Sequence, residues 1–145
     1  MAEKEVVENI EEENSGRVHD LEVFLGLANV GNMTEEIYVN KRLGSFVVRP
    51  MSLNEHTAYK KRCRVKTKKG SDFDGEKFNL LIAENHIVKP DFSNSVFLKK
   101  AGYMSAYSFF KDKFMAGEIA EIAEQICKVS GFDLDGEDTV EEAKN

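Results

Sequence analysis

The chain has 145 residues, of which 41% are hydrophobic and 32% charged, with a formal net charge of −6, no Trp and two Pro. A chain of this length can bury roughly 70% of the surface that its unfolded form exposes, enough for one globular core. No apolar run approaches the ~20 residues of a membrane span, and the stretch MAEKEVVENIEEENSG lacks the apolar region of a secretory signal.

Charge is segregated along the chain. Residues 1–16 hold six Glu and one Lys, residues 41–69 hold ten of the twenty Lys and Arg with a single acid, Glu55, and residues 132–145 hold six acids and one Lys. Segments so polar cannot bury enough apolar surface to offset ordering. This predicts acidic, disordered tails over residues 1–18 and 134–145, flanking a single globular domain over 19–133.

Asp20 is placed to cap a short helix over LEVFLGLA, with Leu21, Phe24, Leu25 and Ala28 on one face. EEIYVN and GSFVVRP are β-branched and aromatic and are joined by KRLG, which predicts a hairpin. Pro50 ends its second strand, because proline has no N–H for the ladder. SLNE, Ser52 to Glu55, is a capping box, and a helix should follow to about Cys63 or Arg64.

The stretch KKRCRVKTKKG packs seven cations into eleven residues. Lys60, Lys61, Arg62 and Arg64 fall at the end of the predicted helix, where cations complement its unpaired carbonyls. KTKKGSD reads as a loop. A third helix opens at Asp74, with Phe78, Leu81, Ile82 and Asn85 on one face and Leu80 and Ile87 to the side, and stops before Pro90. Ser93 is read as the cap of NSVFLKKA, which Gly102 closes. Ser105 caps AYSFFKDKFM, Gly117 interrupts, and EIAEIAEQICKVSG forms the last helix. Its stripe is Ile119, Ile122, Ala123 and Ile126, and Gly131 ends it. Together these elements predict an α+β fold, mainly α: a compact bundle of five to six helices with one small antiparallel β-hairpin near residues 35–50.

Reaction chemistry has little to stand on. His19, His56 and His86 have no partner at metal-ligand spacing, and no P-loop, GxSxG or GxGxxG is present. DFDG, Asp72 to Gly75, and DLDGED, Asp133 to Asp138, lack the register of a calcium loop. His86 reads as a half-buried surface residue rather than a base. Cys63 and Cys127 read as two reduced thiols. No catalytic, metal or cofactor residue is therefore predicted, and no enzyme.

Partner-binding candidates remain. The basic block is a solvated helix end, a contact for a protein partner or for the acidic tails, or a nucleic-acid site. The last is disfavoured, because only Tyr59 lies beside it for stacking. In GYMSAYSFFKDKFM, Tyr107, Phe110 and Phe114 line up as a core stripe that Tyr103 extends. Phe109 and Met115 fall away from that stripe on opposite sides. Each is either clamped by a neighbouring element or left for a partner. The partner-binding candidates are thus Phe109, Met115, Lys60, Lys61, Arg62 and Arg64, and the structural caps are Ser52, Glu55, Asp74, Ser93, Ser105 and Gly131.

The order of short motifs resembles the XkdN-like tail assembly chaperones of long-tailed phages and prophages. Arg49, Pro50, Met51, Ser52 and Glu55 match the start of a helix that follows the hairpin. Pro90, Asp91 and Phe92 match a P-D-F step, and Leu98, Lys100, Ala101 and Gly102 match L-x-K-A-G. Met115, Gly117 and Glu118 match the step before the last helix in part, with Ala116 where the family has proline. Ile126, Gly131, Phe132 and Asp133 close the pattern, which spans residues 20–145. The resemblance implies a non-catalytic phage protein of the bacterial host cytoplasm. Such a protein binds the tape measure protein, and with it the tail tube protein as a further partner, and keeps the tape measure soluble while the tube polymerises. It leaves a homo-oligomer open and implies no cofactor and no membrane. The competing readings are a small nucleic-acid-binding or regulatory protein using segment 60–69, and a structural tail component.

Overall fold

The computed structural model describes residues 16–132. Of the predicted tails 1–18 and 134–145, residues 1–15 and 134–145 lie outside the described residues, and residues 16–18 are exposed. The elements run α1 Leu21–Leu25, a 3-10 turn Val30–Asn32, β1 Glu35–Asn40, β2 Gly44–Val48, α2 Leu53–Arg62, β3 Arg64–Thr67 and β4 Gly70–Phe73. They continue with α3 Gly75–His86, β5 Ile87–Lys89, α4 Ser95–Ala101, α5 Ala106–Lys113 and α6 Ala116–Val129. The fold is α+β and mainly α, as the periodicities predict.

The hairpin forms with Ile37 opposite Phe46, and both are buried. Two strands were expected, but β5 adds a third, antiparallel to β2, so the order is β1-β2-β5. The three residues Ile87–Lys89 are too few to show a strand period beside a helix. A second correction falls at KTKKGSD, which is not a loop. Thr67 pairs with Gly70 and Arg64 with Phe73, so the basic block builds a two-stranded ribbon whose eight strand residues are all exposed. With no buried face, no apolar alternation marks it in the sequence.

The core lies where α3 packs on α6 and α5, with α6 also against β1. Ile122, Ile126 and Ile82 are fully enclosed, with Phe110 beside them. The stripe predicted for α6 is therefore the core stripe. On α3 the buried run is Leu80, Leu81, Ile82, Ala83 and His86, whereas Asn85 is exposed and donates Nδ2 to the Leu81 carbonyl. Four consecutive buried residues mean that neighbours cover α3 on more than one side.

Most caps form as predicted. Ser52 Oγ accepts from Glu55 N (3.2 Å) while Glu55 Oε1 accepts from Ser52 N (3.1 Å). Asp74 accepts from Lys77 N and Ser105 from Ser108 N. Gly131 takes a left-handed φ of 96° just past α6. Ser93 does not cap α4; Asn94 does, accepting from Phe97 N (3.0 Å), while Ser93 N donates to Asp91. Gly117 does not break the last helix either. It sits in the first turn of α6, and the break lies at Phe114 and Met115, whose backbones are extended. Asp20 occupies the N-cap position of α1 without a side-chain bond to its amides.

Candidate partner-binding surfaces

Two buried polar clusters come first, because each is assembled from residues far apart in sequence. Arg49 forks onto Glu55 (Nη1–Oε1 3.2 Å, Nη2–Oε2 2.9 Å), which fixes the strand end against the start of α2. The Arg49 hydrogen bonds hold the Glu55 carboxyl down at about 2. Behind it, Tyr59 Oη lies 2.8 Å from His86 Nε2, and His86 Nδ1 lies 3.1 Å from the Arg49 carbonyl. A carbonyl only accepts, so Nδ1 carries the proton and Nε2 accepts from the tyrosine hydroxyl. His86 is 0% exposed, which corrects the half-buried surface reading. Burial, then the Arg49 charge, lowers His86 to about 4, and burial raises Tyr59 to about 12. Among the described residues no buried side-chain polar atom lacks a partner, so the cluster is structural.

The second cluster centres on Glu118, 3% exposed in the first turn of α6. It accepts from Asn40 Nδ2 (2.9 Å), Arg42 Nε (3.1 Å) and Nη2 (2.9 Å), and Met115 N (2.7 Å). Burial pushes its pKa up, but the Arg42, Asn40 and Met115 donors outweigh that and hold it at about 2. The hairpin turn is thereby clamped to the last helix. Cys63 and Cys127 are both free, and burial raises both thiols, Cys127 to about 11. Among the described residues no group of three or more His, Cys, Asp or Glu could hold a metal ion, and no helix is long and apolar enough to cross a membrane.

Of the aromatic candidates, Phe109 is half-buried. Its ring meets Phe92, Phe97, Tyr103, Phe110 and Phe114 at centroid distances of 5.0–6.3 Å. The clamp is Phe92 together with α4, and it takes Phe109 out of the leading role as a partner contact. Met115 stays 55% exposed. It follows α5 and precedes α6, beside a groove of about 320 Å³ whose floor includes Leu80, Phe110, Phe114 and Ile119 and whose rim carries Glu76 and Lys111.

An open apolar surface lies on the helix for which the sequence predicts one face shared by Leu21, Phe24, Leu25 and Ala28. In α1 no residue is buried: Leu21 is 85% exposed, Phe24 52% and Leu25 86%, with Val18, Val23 and Leu27 also open. The periodicity of LEVFLGLA is real, but among the described residues no other element buries it. The basic candidates Lys60, Lys61, Arg62 and Arg64 all lie on the surface, at the end of α2 and the root of the ribbon.

These features define a small α+β fold, mainly α, with two polar clusters locked inside and apolar and cationic patches left on the surface. The crystal structure of the protein yqbn, a structural genomics target, has the same fold, with a TM-score of 0.59 and 18% identity over 81% of this chain and 100% of that one. No curated protein matches the chain. The sequence pattern of the phage XkdN-like tail assembly chaperone proteins matches residues 21–144, and the chain belongs to that family. The matched positions have plain physical roles: Arg49 and Glu55 form the fork, Phe92 is the hub of the aromatic cluster, Gly102 takes a left-handed φ of 84°, and Glu118 is the buried clamp.

Proposed function

We propose that this chaperone binds the phage tape measure protein and keeps it soluble in the host cytoplasm while tail tube subunits polymerise around it, without catalysing a reaction. The observation that carries this reading is the open apolar segment 18–27. A long helical client exposes amphipathic faces, and a helix is bound by laying its apolar side against a matching apolar surface. The family match begins at Leu21, so the matched region of this chain includes a helix none of whose residues is buried. Met115 supplies a second apolar contact beside the groove. Lys60, Lys61, Arg62 and Arg64 steer an acidic client towards it.

Co-expression with the tape measure protein of the same phage, followed by affinity purification and sizing, tests the reading. A soluble complex at fixed ratio supports it. A tape measure that aggregates while this chain elutes free overturns it. Retention on duplex DNA that weakens steeply with salt would instead favour the nucleic-acid reading of segment 60–69.

A further inference from the structure

The ribbon and the end of α2 place seven cations on one exposed protrusion, Lys60, Lys61 and Arg62 on the helix and four more on or beside the two strands. Among the described residues none of the seven side chains makes an ion pair or a hydrogen bond. Such a concentration of like charge repels itself and calls for an anionic cover.

We propose that this cover is the chain's own acidic segment, residues 133–142, docked on the ribbon within the same molecule. Three observations converge on it. The first is the exit point of the chain. After Gly131, the Phe132 ring packs on His56 of α2 at 4.9 Å, His56 meets Phe78 at 5.7 Å, and Phe78 meets Phe73 of β4 at 5.3 Å. Phe132 thus stands at one end of a ring row whose other end is the root of the ribbon. The second is the ribbon's register. Arg64 pairs with Phe73 and Lys66 with Ser71, and directly paired residues point to the same face. Arg64 and Lys66 therefore share the face of Phe73, the one turned to the ring row. His56 and Lys60 are also one helical turn apart, about 6 Å along α2.

The third is charge and reach. Residues 133–142 carry six acids, Asp133, Asp135, Glu137, Asp138, Glu141 and Glu142, and no cation. Ten residues span up to about 33 Å extended, and a four-residue strand is only about 13 Å long. A short tether holds its ligand at an effective concentration on the order of millimolar, so weak ion pairs suffice. The acidic segment at residues 1–16 has comparable charge, but the chain enters from it through α1, none of whose residues is buried, whereas it leaves towards 133–142 from Phe132 at the end of the ring row.

The test uses the full chain and fluorescein-labelled poly-L-glutamate as probe, read by anisotropy at about 10 mM salt, where the screening length is about 30 Å. In one variant all six acids of 133–142 become Asn or Gln; in a second the six Glu of 1–16 become Gln. Neutralising 133–142 is expected to raise affinity for the probe about tenfold. The gain should vanish at about 1 M salt, and the backbone amide resonances of Arg64–Phe73 should shift between wild type and this variant. Adding Lys66→Glu, Lys68→Glu and Lys69→Glu should remove the difference. Equal affinities with unmoved ribbon resonances would overturn the proposal. A gain confined to the 1–16 variant would move the cover to the other segment, and ribbon shifts that depend on protein concentration would assign it to a second copy. Either outcome sinks the intramolecular contact.

Discussion

Glu118→Ala separates a structural clamp from a surface ion pair. The carboxylate is 3% exposed and receives four hydrogen bonds, two from Arg42 and one each from Asn40 and the Met115 amide. Arg42 is 49% exposed and also donates to the Lys113 carbonyl (2.6 Å), so after the substitution its guanidinium returns to water at little cost. Asn40 and the Met115 amide are part-buried and lose their acceptor. A polar group left unsatisfied costs about 1–3 kcal/mol, so the two together predict a loss of about 3 kcal/mol. That exceeds the 1 kcal/mol at most expected of an exposed pair. Urea unfolding should show a lower midpoint at unchanged slope. Arg42→Ala alone should cost less, and the double-mutant cycle should give a coupling of about 1–2 kcal/mol. A loss below about 1 kcal/mol for Glu118→Ala would refute the clamp and place the pair among solvated surface contacts.

Four further outcomes are expected. His86 titrates near 4 when folded against an ordinary 6.5, so its contribution is complete above 6.5 and is lost as pH falls towards 4. The loss is on the order of 2–3 kcal/mol, and urea midpoints for His86→Gln should be flatter across that window than those of the wild type. Ile126→Ala, at a fully enclosed site, should cost about 2–5 kcal/mol in the same assay. The triple change Leu21→Ser, Phe24→Ser and Leu25→Ser should leave stability within about 0.5 kcal/mol, since no residue of α1 is buried, yet abolish co-purification of the tape measure protein. Reversing Lys60, Lys61, Arg62 and Arg64 to Glu should slow association with an acidic client about tenfold at low salt, and an unchanged rate by stopped-flow would end the steering idea.

Much of the fold was legible because its signals are local. The Ser52–Glu55 box, the Asp74 and Ser105 caps and the isoleucine stripe of α6 each need only three to seven residues of context. The elements missed are those whose stability comes from elsewhere. β5 exists because β2 offers it an edge, and the ribbon exists because its root is anchored, Asp74 N donating to the carbonyl of buried Cys63 at 2.7 Å. His86 misled for the same reason: its partner Tyr59 lies 27 residues away, and nothing near either residue announces the pairing. Ser93 and Asn94 are both good cap residues, and backbone register alone chose between them. The candidate binding surface was the least legible part. Periodicity in α1 marks one face as apolar, but periodicity cannot say whether another element will cover it.

The strand order β1-β2-β5 has a consequence for self-association. It leaves β1 at the outer edge of the sheet, where unpaired backbone groups invite a foreign strand. That edge opens with two exposed glutamates, Glu35 and Glu36, and further along Gln125 of α6 donates its Nε2 to the Tyr38 carbonyl at 2.7 Å. Charge repels an incoming apolar strand at one end, and a side-chain amide occupies a backbone acceptor further along. Both features make this edge a poor template for edge-to-edge pairing with another chain.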